Sequence, residues 1–208
     1  MDGGPIMKAG RMLAVNPNAI REENDYYATD PYVINRSIDF FYEVGVTKQS
    51  PIWECSCGEG HLSKRLLELG FENVISSDLI DRGYGQKQDF LKTANCKHPI
   101  TILTNPPFKL ASEFIFHANT IQSDGGISLF FLKIQFLETE KRIDLFRQCG
   151  LKYVGVMSNR ACCAMNGDFD KYFKQDKKTG TYKGGTQLMS WFVFQKGYIG
   201  EPVIKFIK

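Results

Sequence analysis

Asn105-Pro106-Pro107-Phe108 is the stretch of this 208-residue chain whose residue types and spacing say most about chemistry. An amine conjugated to a planar ring is a poor nucleophile, because its lone pair is delocalised into the ring. For such a nitrogen to attack, its geometry must move toward tetrahedral, and two acceptors aimed at its hydrogens favour that change. The side-chain carbonyl of Asn105 and the backbone carbonyl of Pro106 would be those acceptors. They would stabilise the positive charge that develops on nitrogen. Pro107 would hold the second carbonyl in place, since consecutive prolines fix φ and keep the backbone extended. Phe108 would present a flat face to an extruded base. No strong general base is required. Two prolines after a strand could also simply end it.

A second constellation is Glu54-Cys55-Ser56-Cys57-Gly58-Glu59-Gly60. Two glycines two apart allow a sharp turn and a close backbone approach. Asp78 closes the next predicted strand, where a ribose hydroxyl could be bound. A glycine pair alone occurs in many turns and could also suggest a dinucleotide. Two features argue against that. Position 63 is Ser63 rather than the third glycine of the dinucleotide pattern, and Glu54 brings negative charge to a loop that would have to cradle a pyrophosphate. Glu54 suits a ligand with a positive amino group. S-adenosylmethionine (SAM) has one, lacks phosphate and carries an activated methyl. Glu54, Ser56, Gly58, Gly60 and Asp78 are therefore candidate cofactor contacts. Asp89 could accept a hydrogen bond from the cofactor's adenine, with Phe90 against the ring; the plainer alternative is a loop aspartate before a core phenylalanine.

These groups need a scaffold, and the chain between them alternates two periodicities. Pro31 opens a predicted helix carrying Val33, Ile34, Ile38 and Phe41, which ends near Gly45. Ile52–Cys55 reads as a buried strand before the glycine turn. Leu62, Leu66, Leu67 and Leu69 give a helix that stops at Gly70. Val74–Ser76 and Ile100–Leu103 read as strands, the latter running into Asn105. Leu110, Phe114, Ile115 and Ala118 mark a helix. Ile127–Leu132 is an apolar strand, 138–148 a helix, and Tyr153–Met157 and Trp191–Phe194 two late strands. Trp53 and Trp191 are expected in the core. Strand–helix alternation predicts an α/β fold with a mostly parallel sheet covered on both faces. Residues 1–24 read as a loose arm containing Gly3, Gly4, Pro5 and Pro17, and 25–208 as a single domain.

Composition narrows the class. A hydrophobic fraction of 43% and a charged fraction of 24% are those of a globular protein. No apolar run approaches a membrane span and residues 1–18 lack the apolar centre of a secretory signal, so a cytoplasmic location is expected. Cys55, Cys57, Cys96, Cys149, Cys162 and Cys163 match no zinc spacing and read as reduced thiols, mostly buried. No metal is required by the chemistry. His61 could line the pocket or sit at a helix start, and His98 and His117 have no evident partners. The net charge of +3 is too small to establish a nucleic-acid partner. The polar segment 159–185 is the exception. It carries Lys171, Lys174, Lys177, Lys178 and Lys183 interleaved with Phe169, Tyr172, Phe173 and Tyr182, and an insertion of that length is seldom a passive turn. Its lysines could contact phosphates while its aromatics stack or pack, or it could be a solvated basic loop.

Taken in order, these motifs resemble those of the SAM-dependent DNA adenine-N6 methyltransferases, particularly the small stand-alone types carried by bacteriophages and prophages. The glycine loop is similar to that family's SAM-binding motif and Asn105-Pro106-Pro107-Phe108 to its catalytic motif. Tyr27-Ala28-Thr29-Asp30-Pro31 resembles the motif that contacts the methionine moiety, making Tyr27 and Thr29 candidates there. The resemblance covers roughly residues 25–195. It implies a Rossmann-like class I SAM-dependent methyltransferase fold, a seven-stranded, mostly parallel sheet with its last strand antiparallel, SAM as cofactor and double-stranded DNA as partner. Three positions depart from the pattern. Cys55 and Asp30 each stand where proline is common, and no separate target-recognition domain is present beyond the 159–185 insertion. RNA bases and protein glutamine offer similar amino groups, although glutamine-specific enzymes usually carry tyrosine where Phe108 stands. A non-catalytic scaffold of the same fold is the reading from another class; intact glycine, aspartate and catalytic positions count against it.

Overall fold

The computed structural model describes residues 26–94, 96, 99–179, 181–185 and 187–208; the expected arm 1–24 and His98 lie outside the described residues. Strand β1 (Tyr27–Thr29) leads into helix α1 (Tyr32–Glu43). Pro31 sits at the N-terminus of α1, and Gly45 follows it with φ of +89°. Strand β2 (Ile52–Glu54), helix α2 (His61–Glu68) and strands β3 (Val74–Asp78) and β4 (Gln86–Lys87) come next. Strand β5 (Thr101–Thr104), helix α3 (Ala111–Ile121), strand β6 (Ile127–Lys133), helix α4 (Glu140–Cys149) and strand β7 (Leu151–Met157) continue the alternation. Within the insertion lie β8 (Cys163–Met165), the single turn α5 (Phe169–Tyr172), β9 (Lys174–Gln175) and β10 (Tyr182–Lys183). Strands β11 (Met189–Gln195) and β12 (Val203–Ile207) close the chain.

The main sheet has the order β12-β7-β11-β6-β5-β2-β3-β4. Strand β11 runs antiparallel to both β6 and β7, and every other neighbouring pair is parallel. The expected mostly parallel sheet is present, with two differences in detail. The sheet has eight strands rather than seven, and the antiparallel strand is not the last, because β12 pairs parallel to β7 along the outer edge. Residues 196–208 escaped sequence reading because β12 is an edge strand with one well-buried residue, Ile207, so it carries no continuous apolar run.

Period-two alternation in the central strands divides the core into two layers. Leu129 and Phe131 of β6, with Trp191 and Val193 of β11, face α1 and α2 alongside Phe41 and Leu66. Phe130 and Leu132, with Phe192 and Phe194, face α3 and α4 alongside Phe114 and Ile115. Both strands are therefore apolar on both faces, as buried sheet interiors demand. Each fully buried aromatic contributes on the order of 1.5–3 kcal/mol from removal of apolar surface from water. Both tryptophans are buried, and each indole N–H finds an oxygen: Trp191 donates to Ser37 Oγ (2.8 Å) and Trp53 to Ser77 Oγ (2.9 Å).

The insertion is ordered into a small second layer rather than a plain polar loop. Strand β8 pairs antiparallel with β1, and β9 with β10. Ala28, Ala164 and Phe169 form its buried centre. Phe169 stacks on Tyr182 with centroids 5.0 Å apart, so these two aromatics pack on each other. Asp168 starts α5 by accepting the Lys171 N–H through its side chain (3.3 Å).

Candidate active site

Strand order reverses between β2 and β5. The chain leaves β2 for β3 and β4 on one side, then returns to β5 and proceeds to β6 on the other. A crevice must open where the two directions part, at the carboxyl ends of these strands. The glycine loop follows β2 and Asn105-Pro106-Pro107-Phe108 follows β5, so the two constellations meet there. Between them lies a cavity of about 300 Å³. Tyr27, Thr29, Glu54, Ser56, Asp78, Asp89 and Phe90 line it, as do Asn105, Pro106, Pro107 and Phe108.

Asn105 is held in an unusual way. Its Nδ2 donates to the backbone carbonyl of Tyr27 (3.1 Å) and to Thr29 Oγ1 (2.9 Å), both on β1. Its Oδ1 is buried and accepts no hydrogen bond from the described residues. With both amide hydrogens used on one side, the acceptor is committed to the other. A buried carbonyl without a donor costs on the order of 1–3 kcal/mol, so the arrangement is one that a donor would relieve. Thr29, expected at a ligand, lines the cavity, is 3% exposed and also orients this amide.

Ser56, which lines the cavity, also bonds away from it. Its hydroxyl shares a hydrogen bond with Thr104 Oγ1 (2.6 Å) and donates to the carbonyl of Asn105 (3.0 Å). It thereby ties the glycine loop to the end of β5. Phe108 opens a 3-10 turn and is half-buried. The Tyr27 ring is beside it at 6.1 Å and 25°, and Lys133 Nζ stands over its ring at 4.8 Å.

Glu54 is 2% exposed at the end of β2. Its Oε2 accepts from Ser63 N (2.8 Å) and from the Ser63 hydroxyl, so it caps the first turn of α2. Position 63, where a dinucleotide pattern would place glycine, is thus a hydrogen-bonding partner of the buried carboxyl. Burial pushes the Glu54 carboxyl up to about 8 from an ordinary 4.5; the Ser63 bonds oppose the shift and the negative Asp78 adds to it. Asp78 Oδ2 accepts the N–H of Gly58 (2.9 Å), while Oδ1 accepts from Ile80 N (2.9 Å) and pairs with Arg82 (3.2 Å). Asp89 Oδ1 accepts from Leu91 N (3.1 Å) and Oδ2 pairs with Lys92 (3.1 Å). Phe90 is buried at the wall, against Trp53 and Phe114.

The two loop glycines do not themselves line the cavity. Gly58 has φ of +54°, and a Cβ there would run into the Tyr26 ring; at Gly60, with φ of +79°, it would run into Tyr84. Close approach is required, but by tyrosines of this chain. Tyr26 was missed by sequence reasoning. It hydrogen-bonds Glu59 (3.3 Å), lies under Arg82 (4.2 Å), and closes one side of the pocket, burial holding its phenol above the usual range. The signal was available, since Arg82 is four residues from Asp78 and Tyr26 directly precedes Tyr27.

His61 lines the cavity, while the ring of His117 packs edge-on against Phe90. All six cysteines are free thiols, four of them buried. Burial pushes Cys57 up to about 12 and Cys149 to about 11. The five insertion lysines are exposed. Lys183 pairs with Asp176 (2.6 Å), and Lys171 lies over the Tyr172 ring (5.4 Å). No described helix is long and apolar enough to cross a membrane.

No protein-family model matches the chain, and no curated protein matches it in sequence. Solved structures do. A protein of Listeria monocytogenes described as a candidate class I SAM-dependent methyltransferase superposes with a TM-score of 0.56 at 14% identity, covering 91% of this chain and 68% of that one. A candidate RNA methyltransferase from Pyrococcus horikoshii gives 0.57 at 15% identity, covering 83% and 87%. The M protein of the type I restriction enzyme EcoKI gives 0.51 at 13% identity, covering 84% and 44%. The fold of this chain is therefore the Rossmann-like α/β fold of class I SAM-dependent methyltransferases.

Proposed function

We propose that the protein is a SAM-dependent methyltransferase acting on the exocyclic N6 of adenine in DNA. The observation that carries this reading is the orphaned Asn105 Oδ1: a buried acceptor, fixed by the two hydrogen bonds that Nδ2 of the same amide donates, at the start of a diproline turn. An amino group offering two hydrogens would satisfy Oδ1 and the Pro106 carbonyl together. Satisfying both favours pyramidal nitrogen and stabilises its growing charge. Water makes a poor substitute where a planar base fills the space.

The donor set of the crevice fits SAM. Glu54 offers a buried carboxyl to the amino group, Asp78 to the ribose hydroxyls, and Asp89 to the adenine amine with Phe90 against its ring. Tyr27 offers an aromatic wall to the methionine end, while Thr29 acts there through Asn105. Gly58 and Gly60 contribute by letting Tyr26 and Tyr84 close the loop. When bound, SAM supplies a methyl activated on a sulfonium, and placement of the amine does much of the rest. Phe108 and Tyr27 would share the extruded base. Lys174, Lys177 and Lys178, exposed and without an ion pair among the described residues, are the phosphate contacts of this reading, joined by Lys171 and Lys183 once displaced from Tyr172 and Asp176. Residues 25–208 would act as one catalytic domain.

The test is methyl transfer from labelled SAM to unmethylated genomic DNA, followed by nucleoside analysis, with RNA and protein in parallel. N6-methyladenine in the DNA is the expected product. Label confined to RNA or to glutamine would keep the chemistry and overturn the substrate. Absence of SAM binding by calorimetry would overturn both.

A further inference from the structure

Asn105 directly follows β5, but neither of its amide hydrogens bonds to β5 or to the main sheet. Both go to β1, at Tyr27 and Thr29. Strand β1 is no part of the eight-stranded sheet. Among the described residues its one strand partner is β8, in the insertion, through Tyr27↔Met165, Ala28↔Ala164 and Thr29↔Cys163. The orientation of a group at the centre of the rigid sheet thus depends on a three-residue strand held from outside it. Thr29, whose hydroxyl accepts from Asn105, stands opposite Cys163 of β8 in the register of the ribbon.

Asp30 stands immediately after Thr29, where the related motif commonly has proline, and none of the chemistry above uses it. It is 7% exposed. Its N–H donates to the Cys162 carbonyl (2.9 Å), extending the β1–β8 pairing by one residue. Its carboxyl accepts the N–H of Tyr32 (3.0 Å) at the start of α1 and faces β10 across a small cavity that Tyr182 and Lys183 also line. One residue therefore caps the first turn of α1 with its side chain, ties the end of β1 to Cys162 of the insertion with its N–H, and faces the far strand of the insertion. Proline could make none of these bonds. A buried carboxyl is retained only where its surroundings hold it, and here they come from two separate segments, α1 through Tyr32 N and the insertion across the shared cavity. Arg36, on the next turn of α1, supplies the nearest favourable charge.

We propose that Asp30 is a positioning residue that latches the 159–185 insertion to β1, so that a docked insertion aims the Asn105 carbonyl into the site. The inference rests on the methyltransferase reading for its catalytic consequence, though not for the latch itself. A polyanionic substrate that settles the insertion lysines would also settle β8, β1 and the amide. The insertion would then act on turnover as well as on substrate affinity.

The test compares the full-length protein with Asp30→Ala and Asp30→Asn. The 1H–15N signals of the Asn105 side-chain amide report the latch, and those of the Trp53 and Trp191 indoles report the two core layers. Asp30→Ala should shift and broaden the Asn105 amide, leave both indoles in place, keep SAM affinity within about twofold, and lower kcat by roughly ten- to a hundredfold, the effect of a small misplacement of a reacting group. Asp30→Asn, which keeps one acceptor oxygen, should restore part of kcat and serves if the alanine variant folds poorly. An unmoved Asn105 amide in both variants would overturn the proposal, whatever happens to kcat. Equal loss of SAM affinity and kcat, with shifted indoles, would overturn it too, as general loosening. If wild-type protein methylates nothing while its Asn105 amide still answers to Asp30→Ala, the function reading fails and the latch stands.

Discussion

The eight-stranded core and the β1–β8 ribbon with its β9–β10 hairpin are built to different standards. In the core, β6 and β11 bury aromatic or aliphatic side chains on both faces, and nineteen buried residues make up one of its two layers alone. The ribbon has three buried residues, Ala28, Ala164 and Phe169, with Tyr26, Phe173 and Tyr182 packed around them. Yet the ribbon, through Tyr27 and Thr29, determines where Asn105 points. A rigid sheet delivers Asn105 to the crevice, and a weakly built layer, of the kind that opens locally at low free energy, orients its side chain.

The comparison breaks most visibly under truncation. Trp191→Ala should destabilise the whole protein by about 3–5 kcal/mol, because the site lies between packed layers and cannot collapse. Phe169→Ala should cost markedly less in global denaturation while raising amide exchange in β1 and β8. Equal losses in the two denaturation curves would mean that core and ribbon unfold as one unit. Asn105→Ala sharpens the other side of the contrast. Turnover should fall by about 10²–10³-fold, the effect typical of removing one preorganised polar group, with the melting temperature nearly unchanged. Full activity would end the proposed mechanism.

Glu54 makes a pH-dependent prediction that belongs to the core alone. Its folded-state pKa of about 8 lies above the ordinary 4.5, so the folded protein without ligand holds the proton more tightly than the unfolded chain. Stability from this group is therefore full below about 4.5 and is lost as pH rises toward 8. A cationic amino group favours the carboxylate, so SAM affinity should rise with pH up to about 8 and then level, with proton release on binding below that point. Calorimetry in buffers of different ionisation heat reads this directly; Glu54→Gln should abolish the pH dependence and weaken SAM. The smallest effects should come from the ribbon surface. Replacing Lys177 or Lys178 with alanine should weaken DNA binding evenly across sequences and lower the salt slope by about one each, with SAM affinity untouched. A larger change at one sequence would make the insertion a reader of bases.

What was legible follows the same division. Ile127–Leu132, Trp191–Phe194 and Ile52–Cys55 announce themselves as buried strands because a covered parallel sheet demands continuous apolar runs. Asn105-Pro106-Pro107-Phe108 and the glycine loop were readable because their order along alternating strands brings them to one end of the sheet. The ribbon was not legible. Strands of two or three residues carry no period, and the charge of 159–185 hides the pairing of Cys163–Met165 with Tyr27–Thr29, more than 130 residues away. Thr29 and Ser56 were expected at a ligand and lie at the crevice, but their hydroxyls are spent on Asn105 and on the end of β5.

The amino-acid sequence by itself determined which groups could do chemistry and that a parallel sheet would gather them, because local periodicity and turn residues act over short distances. Tertiary structure alone decided what each group faces. Asn105 has an amide that could point either way, and β1, brought in from outside the main sheet and held by β8, takes its nitrogen and leaves its buried oxygen without a partner among the described residues. Hydrogen-bond partners chosen across such separations leave no mark on the residues between them.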